Sequence, residues 1–372
     1  MVVKKNILIG FAIICLLAGP ISIASAVSAA DWPMFQNNLD HTGYLNESSD
    51  FTPVTWLFKT GGAILSAPAI ADKLMYFGST DGSFYALNVG DGTKVWDYST
   101  QGNITSSPIV SGDNVYFGSM DSYFYALDKK NGDSVWKYRT GNSIESSPAV
   151  DNGTIYFGSD DGKIYAVNKN GTKLWSYDTG NAVRSSPAIY NSTLYIGTDN
   201  GNFYALNTKD GSLEWSYNFN DTVRSSALLD PNDNSLFIGA DNGNVTSLDM
   251  RDGQLKWSVN TGNVKSTPAL MGDDIVVGSD SGTAYVLNKY SGKEDWSYSP
   301  GYYLFNSAFS TPIVYGNDIL VGAGDGSMYA LDFDKKAGPT SVYLYYVSAI
   351  VIVILVALIA FRSLRGRRKK NE

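Results

Sequence analysis

Cysteine and histidine are almost missing from this 372-residue chain, which has one of each, Cys15 and His41. A disulfide framework is thereby excluded, and so is a metal centre built from several Cys or His ligands. Charge is also sparse, at 17% of residues, against 13% aromatic residues and 37 Gly. That balance suits short strands and tight turns rather than helices. Positive charge is lacking where nucleic acid would need it. Of the 28 basic residues, two lie in the first 30 positions and six in the last 31, where one of the 36 acidic residues also lies. Residues 31–341 therefore carry 20 basic against 35 acidic groups, a net of −15. A phosphate backbone requires the opposite sign, so nucleic acid is not an expected partner. The acidity keeps an exposed protein soluble.

Long apolar runs are absent except at the two ends. Residues 1–26 have the three parts of a secretory signal: Lys4 and Lys5, an apolar run over 7–18, and Ala24-Ser25-Ala26. Ser28-Ala29-Ala30 is a competing cleavage site, and an uncleaved N-terminal anchor is the alternative. Ile13-Ile14 before Cys15 does not fit a lipobox, so lipoprotein processing is not expected. Because Cys15 lies in the segment expected to be removed, a Cys–His nucleophile pair is not expected either. Residues 342–361 are uncharged and long enough to cross ~30 Å of hydrocarbon as a helix. Tyr343, Tyr345 and Tyr346 stand at the start of that run, and six Arg and Lys follow it in the tail 362–372. The positive-inside rule makes the tail cytoplasmic and places 31–341 outside the cell, on a single-pass anchor joined by a linker at 332–341.

Between the ends one pattern recurs. Trp stands at 56, 96, 136, 175, 215, 257 and 296, at spacings of 40, 40, 39, 40, 42 and 39. A tripeptide ending in Gly keeps the same period, from Tyr76-Phe77-Gly78 to Leu320-Val321-Gly322. A Ser-Ser-Pro-like element precedes each, with Ala227 in place of Pro in the fifth copy. Each unit reads as four short strands, in the third copy 146–150, 154–158, 163–168 and 172–177. Asp161-Gly162 and Asn170-Gly171 supply turns in which Gly accepts a positive φ. One such sheet cannot bury both faces, so the copies must stack, and strands at this period arranged radially make a β-propeller. The Trp series begins one strand early and is missing after the seventh copy. An all-β, seven-bladed propeller over 54–331 follows, its last blade completed by the N-terminal strand 54–59, which removes two open sheet edges. The stretch 31–53 is a lead-in without the repeat's markers.

The segment Ala86-Leu87-Asn88, Asp91-Gly92, Trp96 resembles the tryptophan-docking repeat of PQQ-type (quinoprotein) propellers. Later copies repeat it, and Asp31-Trp32-Pro33-Met34-Phe35 with His41-Thr42-Gly43 resembles the lead-in of PQQ-like surface proteins. The resemblance implies that Trp56, Trp96, Trp136, Trp175, Trp215, Trp257 and Trp296 are structural, each packing between its own blade and the next. It does not carry an activity with it. Quinoprotein dehydrogenases are longer, eight-bladed chains with PQQ and calcium, and no position here matches their catalytic Asp or calcium ligands. No cofactor, metal or catalytic residue is expected. The family also includes a propeller lipoprotein that scaffolds outer-membrane β-barrel assembly.

The recurring Asp residues, Asp81, Asp161, Asp199, Asp241, Asp280 and Asp325, each precede Gly by one or two places and read as hairpin turns. Seven Asn-x-Ser/Thr sequons admit glycosylation of an exposed protein. One position departs from the repeat's uniformity. Where one blade hands over to the next, the residue before each Ser-x-Pro element is, in order, Leu65, Thr105, Glu145, Arg184, Arg224, Lys265 and Phe309. The last handover is longer and brings Tyr302, Tyr303 and Phe305. Arg184, Arg224 and Lys265 beside Glu145 and this aromatic loop form a candidate site for an anionic sugar, a carboxylate or an acidic peptide. The expected function is a non-enzymatic, membrane-anchored binding or scaffolding module for protein or glycan partners. A quinoprotein-like oxidoreductase and a structural envelope protein are the alternatives.

Overall fold

Val, Ile, Tyr and Phe fill the repeat's apolar positions and Gly punctuates them, so each copy folds into a four-stranded antiparallel sheet. The computed structural model describes residues 54–264, 266–279, 283–298, 313–315 and 318–332. The expected signal segment, lead-in, membrane helix and basic tail lie outside the described residues, as do Lys265, Tyr302, Tyr303, Phe305 and Phe309. No helix among the described residues is long and apolar enough to cross a membrane. Seven sheets are present, and six are built from four strands in chain order. The first runs Ala69–Ala71, Leu74–Gly78, Ser83–Asn88 and Lys94–Ser99. In the seventh, Val54–Lys59 lies outermost against Ser327–Asp332, with Trp56 opposite Ala330 and Lys59 opposite Ser327. The expected closure by the N-terminal strand is therefore the observed one.

Blades stack through their apolar faces. Phe84 of blade 1 lies parallel to Phe117 of blade 2 at 4.0 Å between ring centroids, and Phe124 to Phe157 of blade 3 at 4.1 Å. All four rings are fully buried, each stabilising the stack by about 1.5–3 kcal/mol through burial alone. At the rim Trp56, Trp96, Trp136, Trp175, Trp215 and Trp257 each reach the next blade. The indole N–H of Trp175 donates to Thr208 O at 2.9 Å and that of Trp215 to Met250 O at 3.0 Å. Trp56 donates to Val89 O at 2.9 Å, the same latch closing blade 7 onto blade 1. The ring of Trp175 lies over Gly211, where a Cβ would come 2.6 Å from the indole and where φ is +72°. Only Gly meets both demands.

At the inner end, the third copy's first strand is Ala149–Asp151, three residues later than the expected start. Pro148 has no N–H for a ladder, and the two serines before it are held by their hydroxyls instead. The first serine grips its own blade: Gly78 N–H donates to Ser66 Oγ, which donates to Gly78 O, both at 2.9 Å. The second joins blades. Ala67 N–H donates to Ser107 Oγ, Ser107 N–H to Ser147 Oγ, Ser147 N–H to Ser186 Oγ and Ser186 N–H to Ser226 Oγ, all at 2.9–3.0 Å. A chain of hydrogen bonds thus runs around the axis from blade 1 to blade 5.

Candidate functional site at the channel mouth

Each handover segment contains a buried aliphatic residue followed at once by the variable position. Ile64, Ile104, Ile144, Val183 and Val223 are fully buried. Ile104, for example, sits where a side chain on Gly78 would otherwise be. Their amides are fixed too, with Ile144 N–H donating to Ser119 O at 3.1 Å and Val183 N–H to Ser159 O at 3.1 Å. With one residue pinned inward, the next faces the central channel. Leu65, Thr105, Glu145, Arg184 and Arg224 accordingly line a single cavity of about 290 Å³.

A second set of residues meets them there. The turn after each Gly-ending tripeptide is wedged between two handovers: Asp160 N–H donates to Ser143 O and Asp199 N–H to Ala182 O, both at 2.9 Å. The Asp160 carboxylate therefore lies between Glu145 and Arg184. Arg184 binds Asp160 in a fork, Nε to Oδ1 at 3.0 Å and Nη2 to Oδ2 at 2.9 Å. Its Nη1 donates to Asp199 Oδ2 at 2.8 Å, and Glu145 Oε1 approaches its Nε at 3.2 Å. Arg224 reaches Asp199 more loosely, at 3.3 and 3.4 Å. Two guanidinium groups among three carboxylates leave one negative charge, not the excess of positive charge that Arg184 and Arg224 alone suggest. The Asp side chains are the more buried partners, 10% exposed for Asp160 and 14% for Asp199. Burial pushes the Glu145 carboxyl above its ordinary value, against the pull of Arg184. Hydrogen bonding to Asp160 raises Arg184 further.

The recurring Asp residues thus divide by one place in register. Those directly before Gly or Ser in the turn do structural work. Asp161 accepts from Lys163 N–H at 3.1 Å, from Gly141 N–H at 2.7 Å and from the Tyr165 hydroxyl at 2.6 Å. Asp81 does the same for Ser83, Gly61 and Tyr85, and the Tyr85 hydroxyl is pushed up to about 12 by burial and by this bond. Asp160 and Asp199, one place earlier in the turn, are the counterions of the mouth, where a turn role was expected for Asp199. In blades 1 and 2 that earlier place is held by Thr80 and Met120. The mouth is consequently two-sided, apolar around Leu65 and Met120, which are 39% and 37% exposed, and charged from Glu145 onward.

Chemically, Arg184 has spent all its nitrogens, whereas among the described residues Arg224 Nη1 has no hydrogen-bond partner and the side chain is 40% exposed. Arg224 is the donor free to meet a carboxylate. Among the described residues no group of three or more His, Cys, Asp or Glu is placed to hold a metal ion.

A sequence profile described as outer membrane protein assembly factor BamB matches the chain over residues 53–159, 103–238 and 241–338. No curated protein matches the chain in sequence. Among solved structures, BamB from Moraxella catarrhalis is similar at 20% identity and a TM-score of 0.60, over 78% of this chain and 90% of that one. A computationally designed protein, Ika8, is similar at 15% identity and a TM-score of 0.59, over 77% of this chain and all of its own. At such identities the likeness is one of fold.

Proposed function

The chain belongs to the family described as outer membrane protein assembly factor BamB, and from that premise we propose that it is a non-enzymatic docking module for other proteins. The observation that carries this reading is the channel mouth, where the otherwise uniform repeat becomes two-sided and one cavity is lined by both Arg224 and exposed Leu65. A partner offering a carboxylate next to an apolar side chain fits that surface. The aromatic residues Tyr302, Tyr303 and Phe305 and the cation Lys265 belong to the same proposed site through their places in the repeat. The propeller is held outside the cell by the segment 342–361, and its partners are proteins or glycans at the membrane surface.

Two experiments test this. Purification of partners from native membranes should lose them when Arg184→Ala and Arg224→Ala are combined in a folded protein. Unchanged recovery would sink the reading. For the orientation, removal of residues 1–26 leaves no cysteine, so single cysteines report without background. A membrane-impermeant maleimide should label Lys130→Cys but not Lys370→Cys in intact cells, and the reverse pattern would overturn it.

A further inference from the structure

The outer strands of the blades look alike until they are aligned on their Trp. One and three places after Trp136, on the outer strand Ser134–Arg139 of blade 2, stand Lys137 and Arg139. The corresponding pairs are Asp97 and Ser99, Ser176 and Asp178, Ser216 and Asn218, and Ser258 and Asn260. On the closing strand the second place is Lys59, which is paired with Asp325 at 3.6 Å. Lys137 and Arg139 are exposed, and among the described residues neither has a carboxylate partner. Both instead face Tyr123 of the neighbouring strand, Lys137 Nζ at 4.5 Å from the ring centroid and the Arg139 guanidinium at 6.0 Å. In a propeller with a net charge of −15 over 31–341, two unneutralised cations side by side are a local reversal of sign.

Three further observations define what fits there. Blade 2's sheet ends at this strand, so its outer edge is unpaired. Thr140 N–H is turned inward, to Ser122 O at 3.0 Å. By the alternation of an antiparallel ladder, the amides of Lys137 and Arg139 face outward, while Val135 lies at the bulge between Ser134 and Trp136. Trp136, docked on the blade 3 turn that is one residue shorter than its counterparts, is also left less buried than Trp56, Trp96, Trp175, Trp215 and Trp257. Finally, Lys137 Nζ already lies over the Tyr123 ring at 4.5 Å from its centroid, where a stacking sugar ring would have to displace it.

We infer that the outer edge of blade 2 is a second docking surface, which takes an extended acidic peptide segment of a partner protein as a fifth strand. Backbone hydrogen bonds to 137–139 supply register, and carboxylates at alternate positions of the guest strand meet Lys137 and Arg139. This surface is separate from the channel mouth and does not depend on it.

The test is fluorescence anisotropy of the full chain with a labelled hexapeptide probe, acetyl-Thr-Glu-Val-Glu-Val-Thr-amide. The probe should bind, and Lys137→Glu with Arg139→Glu should weaken it by about tenfold or more, since two attractive cross-strand pairs become repulsive. Lys173→Glu on the outer strand of blade 3, and Arg184→Ala with Arg224→Ala at the mouth, should leave it unchanged. N-methylation of the probe at alternate amides should abolish binding, because the edge can then no longer pair. The inference is overturned if the wild type does not bind the probe, if the double charge reversal leaves the affinity intact with an unchanged melting profile, or if the N-methylated probe binds equally well. Binding of polygalacturonate at Lys137 and Arg139 in place of the peptide would overturn it also, in favour of an anionic glycan.

Discussion

Replacing Arg184 by Met should destabilise the propeller mainly by stranding carboxylates rather than by losing an attraction. Arg184 is shared by Glu145, Asp160 and Asp199. Removing one partner of a buried ion pair costs about 3–5 kcal/mol. The Arg184 side chain is 31% exposed, so water screens part of that cost, and we expect about 2 kcal/mol. For a domain of this size that is a fall in Tm of roughly 4 °C. Adding Asp160→Asn and Asp199→Asn to Arg184→Met should restore more than half of the loss, because the orphaned charges go with their partner. The pH dependence has a definite sign. Burial holds the Glu145 carboxyl above its ordinary 4.5, and Arg184 opposes that rise; without Arg184 the carboxyl rises further. A carboxyl whose pKa is higher in the folded than in the unfolded state favours folding when protonated, and that advantage is lost as pH climbs through the folded value. The deficit of Arg184→Met should therefore grow as pH climbs above the ordinary 4.5 through the folded Glu145 value, as followed by thermal melts from pH 4 to 8. A deficit that is flat across that range, or a triple variant no more stable than the single one, would refute the reasoning.

Other perturbations have equally definite outcomes. Gly211→Ala forces a methyl to within 2.6 Å of Trp175 at φ +72° and should cost about 2–4 kcal/mol in urea denaturation, by strain plus overpacking. Trp56→Phe removes the indole bond to Val89 O, worth about 1 kcal/mol, and should speed amide exchange in Val54–Lys59 more than Trp175→Phe does in its own strand. Lys289, 8% exposed, lies 2.7 Å from both Asp230 and Asp233, with Asp230 1% exposed. Burial works against its ammonium but the two carboxylates outweigh it and raise its pKa, while the bond to Lys289 lowers that of Asp233. Lys289→Met should cost about 3 kcal/mol near neutrality. The deficit should narrow as acid protonates Asp233 below its ordinary 3.8, a trend that differential scanning calorimetry from pH 7 to pH 3 would reveal or exclude.

The blade architecture was legible because its causes are local and repeated. The Trp period, the Gly-ending tripeptide and the turn glycines mark the strands, and the early start of the Trp series reveals the closure. What escaped depends on single-residue register. Ser146 and Ser147 read as strand because a hydroxyl that substitutes for a ladder bond leaves no mark in hydropathy. Asp81 and Asp199 look equivalent as turn residues, yet one place of offset sends Asp81 to turn amides and Asp199 to Arg184 and Arg224. The mouth positions themselves could be read from the handover, since a buried Ile or Val precedes each of the first six. Their charge balance could not, because the counterions come from turns 15 to 25 residues away. Lys137 and Arg139 were visible throughout, and gain meaning only when six outer strands are compared place by place and the empty edge is known.

The closing strand also sets a clock. Lys59 meets Ser327 across 268 residues of chain, so Val54–Lys59 emerges long before its partner exists. At about 5–20 residues per second of synthesis the wait is roughly 13–54 s. Throughout that interval a strand bearing Trp56, Leu57 and Phe58 has blade 1 to pack on but no ladder partner, while blades 1 to 6 are being made. The nascent protein is in this respect an open arc with two adhesive ends, and two such arcs meeting head to tail would offer each other the pairing that each must keep for itself. Conditions that keep these two ends away from other chains during synthesis should therefore raise the yield of closed rings.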